Sequence, residues 1–84
     1  MKPTTEQMIA VATASKVGRV WQKPNSDEVR VYVGSEYIVL APTTTILNGV
    51  EGPAISLSGR LSRRSGAAHA DLRAAGETLG IYTR

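Results

Sequence analysis

The amino-acid sequence predicts a small single-domain α+β fold over residues 1–84, in the order α-β-β-β-(β)-α, with an antiparallel sheet and two helices packed on one of its faces. Three observations lead there. Apolar residues recur at helical spacing near both ends of the chain, the middle alternates with period two or runs apolar for a strand's length, and Gly, Pro and Asn punctuate the joins. With 84 residues there is room for one core, and a domain of this size buries only about 60–65% of its unfolded surface.

The first helix is expected over roughly residues 5–16. Thr4 followed three residues later by Gln7 is a capping-box pattern, and Met8, Ile9, Val11 and Ala12 form its apolar stripe. Lys16 suits the negative end of the helix dipole, and Gly18 is a natural terminator. Arg19 to Val33 then reads as one hairpin. A four-residue turn from Pro24 to Asp27 sets Lys23 opposite Glu28, Trp21 opposite Arg30, Val20 opposite Val31 and Arg19 opposite Tyr32. Val20, Val29, Val31 and Val33 fall on one side, and Arg19, Trp21, Lys23, Glu28, Arg30 and Tyr32 on the other.

Tyr37 to Ala41 is a continuous apolar run that reads as a central strand, which Pro42 is expected to end. Residues 43–50 stay ambiguous, because Asn48-Gly49 suits either a hairpin turn or the exit of a helical turn. Ile55, Leu57 and Leu61 alternate with Ser56, Ser58 and Arg60 as a half-buried strand. Ser65 is placed to cap a second helix with Ala68, Leu72, Ala75 and Leu79 on one stripe and His69, Arg73 and Glu77 on another side. Gly80 ends it, and Ile81 folds back over its last turn.

Composition narrows the chemistry. The absence of cysteine removes disulfides, thiolate metal sites and a cysteine nucleophile. A single histidine makes no His cluster, so neither a metal nor a cofactor is expected. No apolar run is long enough to span a bilayer, which leads to the expectation of a soluble, cytoplasmic protein that does not engage membranes. The formal charge of +3 and the pI near 9.7 permit an anionic partner without requiring one.

No residue set reads as catalytic. Asp27-Glu28 is a carboxylate pair, but in an exposed turn it reads as solvated polar residues rather than as acid–base machinery. His69 reads as a solvated residue on the polar side of its helix. The loop before the second helix is more informative, because Arg60, Arg63 and Arg64 crowd a positive dipole end that prefers anions. With the backbone at Ser65 and Gly66 they form a candidate anion site. On the hairpin, Arg19, Lys23 and Arg30 offer phosphate contacts and Trp21 and Tyr32 offer stacking surfaces, while Trp21 equally suits a core position covered by Arg30.

The Gly-x-Val-Trp segment of Gly18 to Trp21, followed by the strand Arg30-Val31-Tyr32-Val33, resembles small phage and mobile-element proteins. That resemblance covers only the hairpin and carries over no functional residue. The expected function is a non-enzymatic module binding nucleic acid or a nucleoprotein through Arg19, Trp21, Lys23, Arg30, Tyr32, Arg60, Arg63, Arg64 and Ser65. The rival is an accessory or inhibitor protein, of phage or mobile-element type, that binds an acidic surface on a host protein complex. Burial of a self-complementary hairpin edge in a homodimer would separate the two readings.

Overall fold

A computed structural model describes residues 1–84. Helix α1 (Thr5–Ser15) is followed by β1 (Arg19–Gln22), β2 (Val29–Val33), β3 (Glu36–Leu47), β4 (Val50–Ser58), α2 (Ser65–Thr78) and β5 (Tyr82–Thr83). The α-β-β-β-β-α order expected from the sequence is present, and a short fifth strand extends it. The sheet runs β1-β2-β3-β4-β5, antiparallel except for β5, which lies parallel to β4. That last pairing makes the sheet mixed rather than wholly antiparallel.

Local chemistry accounts for the first helix. Thr4 Oγ1 accepts the Gln7 N–H at 3.1 Å, and Gln7 Oε1 accepts the Thr4 N–H at 2.7 Å, so both halves of the capping box form. The helix ends one turn-position earlier than its terminating glycine suggests, because Lys16 itself adopts the left-handed conformation with φ 57°. At the start of α2 the expected Ser65 cap is absent. Arg64 occupies the N-cap with φ 60° and no side-chain cap bond. Ser65 lies inside the helix, and its Oγ instead accepts the Leu61 N–H at 3.3 Å.

The ambiguous middle segment is a long hairpin. Asn48 and Gly49 both have positive φ, 53° and 78°, the signature of a two-residue turn whose twist matches the strands it joins. Pro42 does not end β3 as expected but sits within it, opposite Ile55. The reason is positional: β2 pairs with β3 only as far as Leu40, so from Ala41 onward β3 has an open edge where a missing N–H breaks no ladder. Pro53 lies in the stretch of β4 that precedes the β5 pairing. The two prolines thus fall where further strands would otherwise add.

Met8, Val11 and Ala12 of α1, Val29, Val31, Ile38, Leu40 and Ile55 of the sheet, and Leu72 of α2 are fully enclosed in one cluster. Both helices therefore share one face of the sheet, and α1 lies over β1, β2 and β3. Ile81 folds back as expected and is buried, with its N–H donated to the Gly76 carbonyl at 2.8 Å. A Cβ at Gly76 would overlap Thr83 Oγ1 and lie 2.8 Å from the Ile81 oxygen. Only glycine lets α2 and β5 come this close. Val33 and Leu79, expected on buried stripes, are instead exposed at the ends of their elements.

Candidate binding site

The second face of the sheet carries no helix. Period-two alternation turns Arg19, Trp21, Arg30, Tyr32 and Tyr37 toward it, because their neighbours Val29, Val31 and Ile38 enter the core. Strand register then builds two rows across it: Trp21, Arg30 and Val39 in one, Arg19, Tyr32 and Tyr37 in the next. The expected hairpin register is observed at every position from Arg19 to Gln22, and the Lys23 N–H donates to the Glu28 carbonyl at 3.1 Å. A slip of one residue would have inverted both faces.

At the centre lies Arg30. Its guanidinium carbon stands 5.0 Å from the Trp21 ring centre and 4.5 Å from that of Tyr37. Nε donates to Glu28 Oε2 at 2.5 Å, and Nη1 donates to the Tyr32 hydroxyl at 3.2 Å. The hydrogen bond to Glu28, and after it the one to Tyr32, raises the guanidinium pKa above its ordinary value, so Arg30 stays charged at any accessible pH. Glu28 is therefore an ion-pair partner rather than the solvated turn residue expected. Tyr32 continues the cluster edge-on to Trp21 at 6.2 Å and tilted against Tyr37 at 5.1 Å, with Arg19 5.5 Å from its ring.

Both readings of Trp21 hold in part. One side is covered by Arg30, yet 38% of the residue remains exposed, as does 37% of Tyr37. Tyr37 was not among the candidate residues, because the run from Tyr37 to Ala41 looked buried on both sides. Its signal was available in the pairing Tyr32↔Tyr37, which follows once the Gly34-Ser35 turn is read as tight. Lys23 lies at the exposed end of the hairpin.

The structure does not gather the three loop arginines. Arg60 lines a cavity of about 220 Å³ with Ser65, Gly66, His69 and Arg73, whereas Arg64 lines a different one of about 170 Å³ beside Lys16 and Asp71. Arg63 lines neither. The loop is instead held by Glu36, whose carboxylate oxygens both accept the Ser62 N–H at 3.1 Å while Oε1 also accepts from Ser62 Oγ at 2.9 Å. An internal carboxylate thus already occupies one loop amide. His69, expected to be solvated, has Nε2 shut away from water with no hydrogen-bond partner.

No three His, Asp or Glu side chains converge, and no helix is long and apolar enough to cross a membrane. Comparison with protein-family models, curated proteins and solved structures finds no match. The functional argument rests on the surface itself.

Proposed function

We propose that the protein is a non-enzymatic binding module that takes single-stranded nucleic acid, alone or in a nucleoprotein, on the open face of its sheet. The supporting observation is the cluster of Trp21, Tyr32 and Tyr37 on three adjacent strands, bordered by Arg19 and Lys23, with no helix over it. Aromatic rings on a sheet face stack unpaired bases regardless of sequence, and flanking cations meet the phosphates. Arg30, engaged by Glu28 and two rings, holds the aromatic geometry. Phosphate contacts fall to Arg19 and Lys23.

Trp21 is the sole tryptophan, so its fluorescence reads this face directly. Single-stranded oligonucleotides should quench it more strongly than duplexes of the same length. Trp21→Ala should weaken binding, measured by anisotropy of a labelled oligonucleotide, about 5- to 150-fold, the range for one stacked base. Unchanged fluorescence at saturating single strand would remove the reading.

A protein partner is the second reading, favoured by the tip of the β3–β4 hairpin. Ile46, Leu47 and Val50 are all more than half exposed there, an arrangement that suits insertion into an apolar cleft. Quenching of Trp21 by no nucleic acid, together with a protein complex lost in Leu47→Ser, would favour this partner instead.

A further inference from the structure

Away from the open face, exposed apolar side chains fall into two groups that adjoin. Ile46, Leu47 and Val50 stand at the tip of the β3–β4 hairpin, while Leu79 and Tyr82 flank the exit of α2. Leu47 joins the groups, because it lines a cavity of about 390 Å³ together with Arg73, Glu77, Ile81 and Tyr82. That volume lies within the roughly 300–1,000 Å³ of binding cavities. One chain thus carries an apolar protrusion and, beside it, a cavity with apolar walls.

Sheet edges in stable monomers are usually guarded by charge or proline. The β1 edge follows this rule, since it is four residues long and carries Arg19, with Lys23 just beyond it. The hairpin tip does not: no charged residue stands from Thr43 to Val50. Pro42 and Pro53 restrict strand addition at its base, which leaves docking of side chains as the way to cover it. The one charge on this part of the hairpin is Glu51, and strand register pairs it with Ile46, so the two share a face. Arg73 supplies the opposite sign at the cavity. Neither has an ion-pair partner within the chain, because Glu28–Arg30 is the molecule's one salt bridge.

We propose that the occupant of this cavity is a second copy of the chain, in a two-fold dimer where each hairpin tip places Ile46 in the other's cavity and Glu51 beside the other's Arg73. A closed two-fold contact needs a self-complementary surface, with donor and acceptor patches on the same side of the molecule. Leu47 meets that requirement as part of both patches, which sets the two copies of Leu47 close to the axis. Glu77, one turn beyond Arg73, repels Glu51 and so fixes the orientation of docking. The inference is independent of the nucleic-acid reading, which concerns the opposite end of the sheet.

Sedimentation of the full chain over a concentration series tests it, and a reversible monomer–dimer equilibrium is expected. Ile46→Ser should weaken dimerisation at least tenfold; the residue is 68% exposed, and far-UV circular dichroism verifies that the fold persists. Glu51→Lys and Arg73→Glu, both at exposed positions, should each weaken it by a similar factor, since two-fold symmetry counts every change twice. Mixing these two variants should restore the dimer, because Lys for Glu51 then meets Glu for Arg73 and the native pair re-forms at the other contact. A single monomeric species up to about 1 mM would overturn the proposal and leave the tip to a different protein. A dimer indifferent to Ile46→Ser, or a mixture no tighter than its components, would overturn it as well. Quenching of Trp21 by oligonucleotides, recorded on the monomeric variants, reports the open face separately.

Discussion

Arg30 and Arg73 both project from regular secondary structure, yet their surroundings are opposite. Arg30 lies between two aromatic rings with a carboxylate on Nε and a phenol on Nη1, so its charge is balanced inside the fold. Arg73 lines a polar cavity with a second arginine and a half-buried histidine, and has no ion pair. The first organises a surface, and the second leaves a field unanswered. Net charge treats them as equal, whereas a ligand meets them quite differently.

Substitutions along α2 sharpen that contrast, since the helix carries its packing and its cavity on different sides. Leu72→Ala removes a fully enclosed side chain and should lower stability by about 2–5 kcal/mol, read from urea unfolding. Gly76→Ala forces a methyl against β5 and should cost about 1–3 kcal/mol by overpacking. It should also raise amide exchange at Tyr82 and Thr83, which locates the damage at the parallel strand.

Smaller effects are expected at the loop. Glu36→Ala frees the Ser62 amide and hydroxyl and should cost about 1 kcal/mol, because these bonds are charge-assisted but exposed. If the loop is held by its arginines instead, this variant would unfold at the wild-type midpoint. Arg73→Ala should change stability by less than about 0.5 kcal/mol, the usual range for a surface site without partners. Arg30→Ala should lower the urea midpoint and red-shift Trp21 emission, since the ring loses its cover and meets more water. Equal midpoints for the two arginine variants would break the comparison.

The hairpin register, the capping box at Thr4 and Gln7, the buried stripes of both helices short of Leu79, and the fold-back of Ile81 could be read from sequence because each rests on spacing within a few residues. Turn length sets which side chains share a face, and the period of a helix or strand sets which enter the core. The face carrying Trp21, Arg30 and Tyr32 followed from that arithmetic. Tyr37 escaped it, because an apolar strand shows no alternation to say which side is open.

What only the tertiary structure decided depends on neighbours distant in sequence. Pro42 is tolerated because β2 ends at Leu40, a fact about another strand. β5 forms because Gly76 admits Thr83, and two residues carry too little local signal to announce a strand. The loop arginines looked like one cluster because they are adjacent in the chain, but the left-handed cap at Arg64 and the tether from Glu36 divide them. Arg60 joins Arg73 and His69 instead, across the turn into α2. Short-range geometry is written in residue order, whereas the pairing of charges depends on which surfaces the packed core brings together.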